Sequence, residues 1–295
     1  MTSDPISGSG AFPLSSRGHR GPVILAMMRT LVIPGTTLHT SRFIFGTSSL
    51  LSAGSVRTRR RLLETAVEHG FRHFDTAPYY GFGSAERDLA SLLKRQPDLR
   101  VTTKVGLYSR GGEEQPLAAI VARKLGARAF PSMARPSRSF DLARARLSLE
   151  GSLRRLGRDC IDLYMLHEPQ IDEVAVDEWV GWLQDCRQRG SIRYFGVALT
   201  SDRLEPFLSA PSALVDVVQV LDSLATREAD ILGKYSRPMQ ITYGYVSSAR
   251  AAGETRSVQD ILRRAMARNQ HGPIIVSTRK LQRVAQYGRL QEVGR

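Results

Sequence analysis

Three polar residues close short apolar runs, and a fourth follows one of them. Asp75 ends Phe71-Arg72-His73-Phe74-Asp75, Lys104 ends Val101-Thr102-Thr103-Lys104, and His167 ends Ile161-Asp162-Leu163-Tyr164-Met165-Leu166-His167. Tyr80 lies just beyond Asp75, in Thr76-Ala77-Pro78-Tyr79-Tyr80-Gly81. Such runs read as β-strands, so all four residues fall at strand ends or on the loop after one. A phenol is a poor acid near neutrality, with an unperturbed pKa of about 10. A neighbouring ammonium favours the phenolate and lowers that value. A carboxylate beside the lysine keeps it charged and aimed, and an imidazole can donate to a carbonyl oxygen. Together they can protonate a developing alkoxide, as reduction of a carbonyl by hydride requires. Taken singly, an Asp–Lys pair is commonly an interior ion pair, and a buried Tyr or His is commonly packing. The set carries weight because it recurs on successive strand ends.

The elements that would position these residues alternate regularly. Strand-like segments at Phe43–Thr47, Phe71–Phe74, Val101–Val105, Ile161–Leu166, Tyr194–Leu199, Val215–Leu221, Met239–Tyr245 and Ile274–Val276 are separated by helical patterns. Residues 55–69 are expected to form a helix with Val56, Leu62, Leu63, Ala66 and Val67 as its apolar face, stopped by Gly70. A second helix opens near Ser84, read as its N-cap, with Glu86 favourable to the dipole. A third runs over 140–156 with Leu142, Leu147, Leu149, Leu153 and Leu156 inside. Further helices are expected at 174–189, 202–208, 227–233, 258–267 and from Leu281 onward. Eight strand–helix units in about 250 residues indicate a (β/α)8 barrel of α/β class. A doubly wound sheet would need a glycine-rich turn after its first strand, and Gly46-Thr47-Ser48-Ser49 is not one.

The 295-residue chain is long enough for one large domain with a sizeable core. Its longest apolar stretches are strand-sized, far from the roughly 20 residues of a membrane span, so no membrane association is expected. The net charge is +14, carried almost entirely by arginine. Those arginines are dispersed, with no aromatic interleaving, so no nucleic-acid partner is expected. Cys160 and Cys186 form neither a metal pair nor a disulfide framework, which fits a cytoplasmic protein. Residues 1–27 are rich in Ser, Gly and Pro and read as a disordered tail, with Met27 or Met28 read as the true start. Residues 28–295 form the barrel domain. Within it, residues 107–138 make a long loop carrying Arg110, Arg123, Lys124, Arg128, Arg135 and Arg138. On a barrel this loop emerges at the C-terminal face, where active sites lie, and its charge hints at an anionic substrate.

The segments Asp75-Thr76-Ala77-Pro78-Tyr79-Tyr80-Gly81, Thr103-Lys104-Val105-Gly106 and Asp162-Leu163-Tyr164-Met165-Leu166-His167 resemble the aldo-keto reductases, from about Leu31 to Ala285. The resemblance implies a (β/α)8 barrel opened by a short β-hairpin near residues 29–38, here with a truncated C-terminus and a more open pocket. It implies catalysis by Tyr80 as general acid, with Lys104, Asp75 and His167 supporting it. It implies a nicotinamide cofactor, with Gln219 on its amide and Tyr243 stacked on its ring. Ser247 and Ser248 would reach the pyrophosphate. Ser277, Thr278 and Arg283, with Arg279 and Lys280 beside them, match the 2′-phosphate segment and favour NADPH over NADH. One departure stands out: Ala198 and Leu199 occupy the positions of a Ser-Asn pair that holds the nicotinamide amide. The expected activity is interconversion of a carbonyl (an aldehyde, ketone or sugar) and an alcohol. An aldose dehydrogenase is the close alternative, and a non-catalytic nucleotide-binding regulatory barrel the more distant one. The expected assembly is a monomer or a weak homo-oligomer, and no metal is expected.

Overall fold

The computed structural model describes residues 30–116, 118–120, 122, 136–210 and 212–293. The segment 1–27 and, in the long loop, Arg123, Lys124, Arg128 and Arg135 lie outside the described residues. Eight parallel strands close into a barrel: β3 (Phe43–Gly46), β4 (His73–Asp75), β5 (Arg100–Val105), β8 (Ile161–His167), β9 (Ile192–Leu199), β10 (Val218–Leu221), β11 (Ile241–Tyr243) and β12 (Ile274–Val276). The hairpin β1 (Leu31–Val32) and β2 (His39–Thr40) is antiparallel. A second small ribbon pairs β6 (Leu107–Tyr108) with β7 (Ser137–Arg138), fastening the two ends of the long loop together. Among the described residues no helix is long and apolar enough to cross a membrane.

The two-residue period of a strand sorts each side chain to the barrel interior or to the helices. On β8, Leu163 and Met165 belong to the inner cluster, while Tyr164 and Leu166 pack outward under the helices. His167 therefore points inward, at the C-terminal rim. On β9, Ala198 faces inward and its neighbours Val197 and Leu199 face outward. Ile33 and Leu38 of the hairpin turn pack on Ile44, Leu163 and Met165. Gln240 donates to Pro34 O at 2.7 Å and so ties that turn beneath the sheet. The hairpin therefore plugs the N-terminal end and leaves the other end open.

Several local expectations are corrected. The helix Val56–Glu68 begins with Ser55 as its cap, but Val56 is exposed rather than on the buried face. Ser84 is the first residue of the helix Ser84–Arg95, and the cap position belongs to Gly83, held at φ +77°. In the helix Leu142–Leu156, Leu147 is 68% exposed. At about 100° per residue, Leu147 sits roughly 200° from both Ala145 and Leu149, which are buried, so it faces water. The seventh strand ends at Tyr243, because Gly244 turns at φ +102° into an additional helix, Tyr245–Ala251. A side chain at 244 would meet Leu221 within 2.3 Å, so only glycine makes this turn.

Candidate active site

The four residues singled out from sequence meet at the open end. Lys104 lies wholly inside and donates to Asp75 Oδ1 at 2.6 Å, to Thr76 O at 3.0 Å and to the Tyr80 hydroxyl at 3.4 Å. The Tyr80 ring stands edge-on to His167, with centroids 5.8 Å apart at 85°. Local backbone explains the convergence. Asp75 and Lys104 are inward positions of neighbouring strands, with Asp75 opposite Thr102 and Lys104 opposite Met165. Tyr80 returns over the rim because the loop after β4 folds on itself, with Tyr80 N donating to Ala77 O at 3.0 Å.

Burial dominates the electrostatics. It raises the Tyr80 phenol well above its ordinary value, and the carboxylates of Asp75 and Glu168 push the same way. This reverses the depression expected from Lys104 alone. The phenol keeps its proton, as an acid should. Burial also lowers the Lys104 ammonium, partly offset by Asp75, and raises the Asp75 carboxyl, partly offset by Lys104. We read the pair as ionised, because an ammonium at 2.6 Å from a carboxylate supplies the compensation that burial demands. Burial, with the nearby Lys104 cation, holds His167 neutral, well below its ordinary value. A neutral imidazole can still donate one N–H. His167 Nδ1, Asp75 Oδ2 and the Gln219 side-chain oxygen are buried without a hydrogen-bond partner among the described residues.

These atoms border a cavity of about 500 Å³ that runs from Asp75, Tyr80 and His167 past Gln219 and Tyr243 to Ser277. Of the expected cofactor residues, Gln219, Tyr243 and Ser277 line it. Thr278 and Arg283 do not: Thr278 Oγ1 accepts from Lys280 N at 3.2 Å, and Arg283 sits in the helix Leu281–Val293 beyond it. Ser247 lines the cavity, with its hydroxyl donating to Gly244 O at 2.9 Å. Ala198 lines it with a methyl group only, whereas Leu199 faces the helices. The missing Ser-Asn pair thus leaves one gap in the wall rather than two. Two charged lining residues escaped the sequence reading. Arg250 stands on the helix that the reading missed, its guanidinium held by the Glu254 and Arg256 carbonyls. Glu168 follows His167 directly and is the only carboxylate besides Asp75 among the lining residues. Its adjacency to a strand-end histidine was the available signal.

A family model for the aldo/keto reductases matches residues 42–237, two-thirds of the chain, a span that includes all four residues. The chain belongs to the aldo/keto reductase family. Among curated relatives, a D-threo-aldose 1-dehydrogenase from a Pseudomonas species is 32% identical over 149 residues, 48% of this chain and 44% of that protein. An NADH-specific methylglyoxal reductase from Escherichia coli is 29% identical over 178 residues, 57% of this chain and 50% of that protein. The matched part thus spans about half the length of these relatives. Among solved structures, the holo form of an aldo-keto reductase from Bacillus halodurans superposes with a TM-score of 0.69 at 20% identity, covering 90% of this chain and 91% of that one. That likeness establishes the barrel fold.

Proposed function

We propose that this chain interconverts a carbonyl and an alcohol with a nicotinamide cofactor, using Tyr80 as general acid in reduction and as base in the reverse direction. The observation that carries it is Lys104 joining Asp75 to the Tyr80 hydroxyl beside an unpartnered His167 nitrogen, with Asp75, Tyr80 and His167 lining one cavity. A nicotinamide fits that cavity. The orphaned Gln219 oxygen can accept from a carboxamide, the Tyr243 ring offers a stacking face, and Ser277 lies at the far end. The bound cofactor supplies the hydride. The chain supplies everything else. His167 fixes the carbonyl oxygen, and Tyr80 passes its proton to that oxygen as charge develops there. Lys104 then stabilises the phenolate left behind, and Asp75 keeps Lys104 charged and in place.

We assign NADPH as the preferred nucleotide on the strength of Arg279, Lys280 and Arg283 around the start of the last helix. The name of the Escherichia coli relative shows that family membership alone does not decide this. A sugar substrate, with the chain working as an aldose dehydrogenase, is favoured by the name of the Pseudomonas relative. Two free cysteines fit a reducing compartment, and we place the protein in the cytoplasm. The test is a fluorescence titration with NADPH and NADH, followed by turnover on a panel of aldehydes, ketones and aldoses. Saturable binding with NADPH the tighter, and turnover that Tyr80→Phe removes without loss of nucleotide affinity, is the expected result. Binding without turnover on any carbonyl would overturn it in favour of a regulatory barrel.

A further inference from the structure

Glu168 is held in place unusually firmly. Its backbone adopts φ +55°, a left-handed conformation uncommon for a residue with a side chain. Such strain persists only where the surroundings over-determine it. Here they do: Glu168 N donates to Ala198 O at 2.9 Å, and Arg203 Nη1 donates to Glu168 O at 3.0 Å. The side chain is equally placed. Oε1 accepts from the Tyr243 hydroxyl at 3.3 Å, and Oε2 lies 3.5 Å from Arg203 Nη1. Both contacts are long, and an ionised carboxylate has about four lone-pair sites, so accepting capacity remains. Glu168 borders the cavity among Tyr80, His167 and Ala198, where only a methyl group stands beside it. Its charge reaches the reacting groups, raising the Tyr80 phenol and supporting the Lys104 ammonium.

We infer that Glu168 determines substrate specificity, accepting hydrogen bonds from the hydroxyl groups of a neutral polyhydroxylated carbonyl compound and excluding substrates with an anionic group near the carbonyl. The inference rests on the proposed reductase reading and names the substrate class of that site. A hydroxyl next to the carbonyl meets an acceptor fixed on both flanks, at small ordering cost. A phosphate or carboxylate in the same place meets the Glu168 carboxylate at the cavity wall, whereas the Asp75 charge is compensated by Lys104 at 2.6 Å. Arg203 offsets part of the Glu168 charge but does not line the cavity. In the long loop, Arg138 pairs with Glu173 at 3.4 Å, and its charge also reaches Glu168 and His167. The one arginine among the lining residues, Arg250, has its guanidinium held by the Glu254 and Arg256 carbonyls, so it is the wall beside Tyr80 and His167 that opposes the anionic substrate suggested by the charge of that loop.

The test compares kcat/KM for D-glyceraldehyde and D-glyceraldehyde 3-phosphate, in the intact enzyme and in Glu168→Gln, Glu168→Ala and Glu168→Asp. The intact enzyme should prefer the neutral aldehyde by about tenfold or more. Glu168→Gln and Glu168→Ala should bring that preference to within about threefold, mainly through KM, while Glu168→Asp keeps it. Nucleotide titration of each variant reports whether its barrel is intact. If Glu168→Gln fails that check, Glu168→Ala carries the same comparison. Turnover of both aldehydes with an unchanged preference in the Gln and Ala variants, or an intact enzyme that favours the phosphate, would sink the inference and leave the reductase reading standing. No turnover of any carbonyl by the intact enzyme would sink both.

Discussion

Two histidines sit at opposite ends of the same barrel, His73 fully buried and His167 half-buried, both held neutral. His73 opens β4 near the plugged end, and both ring nitrogens are engaged, Nδ1 with Thr40 at 3.1 Å and Nε2 with Thr102 at 2.7 Å. Burial, with Arg100 and Lys104 nearby, pushes it down to about 3. His167 closes β8 at the open end, and its Nδ1 has no partner among the described residues. A depressed pKa is common to both, so it does not mark function here. The unmet hydrogen-bonding valence beside a cavity does. β4 makes the contrast within three residues, since His73 at its start is tied at both ring nitrogens away from the cavity while Asp75 at its end lines it.

The comparison can be broken in order of expected effect. Tyr80→Phe should lower turnover by about 10²- to 10⁴-fold, with the melting temperature and nucleotide affinity retained. A variant that keeps activity would remove the open end from the chemistry. Lys104→Met strands the Asp75 carboxylate in the interior and should cost about 3–5 kcal/mol in urea unfolding. Adding Asp75→Asn should recover much of that loss, and no recovery would mean that the pair is not ionised as described. The histidines should then separate. His73→Leu orphans the Thr102 hydroxyl, while Thr40 keeps its bond to Ser41 O at 3.3 Å, and should cost about 1–3 kcal/mol, with kcat/KM per folded molecule unchanged. His167→Gln should do the reverse, lowering kcat/KM at least about tenfold with little change in stability. If the two variants behave alike, the distinction between satisfied and unsatisfied histidines fails.

The remaining test lies in pH dependence. His73 takes up no proton in the native state until about pH 3, whereas an unfolded histidine does so near 6.5. Below that unfolded value the unfolded state binds the extra proton, so stability falls as pH drops through the window from about 6.5 to 3. Each such histidine contributes at most about 1.4 kcal/mol per pH unit there. His167 acts in the same direction. Stability curves measured across this range should be less steep for His73→Leu than for the intact protein. Equal slopes would place His73 outside the acid response.

Much of this was legible in the chain before any coordinates. The apolar runs, their spacing and the glycines between them specify strand–helix alternation locally, and eight repeats close into a barrel. The residues ending those runs declared Asp75, Lys104 and His167, and Tyr80 followed on the next loop. What escaped notice depended on neighbours distant in sequence. Leu147 looked like core because leucine is apolar, yet the helix face that the barrel covers excludes it. Leu199 looked like a defect in cofactor binding, yet its position on β9 turns it toward the helices. Glu168 drew no notice in the sequence. Only the fold brings Ala198, Arg203 and Tyr243 around it and makes it part of the wall.

The sequence by itself determined the barrel and which residue types stand at its open rim, because strand periodicity and side-chain chemistry are properties of short segments. The tertiary structure decided which polar atoms were left without partners and which carboxylate faces the cavity. Those are relations between strands: a hydrogen bond is present or absent only once both of its ends have been placed.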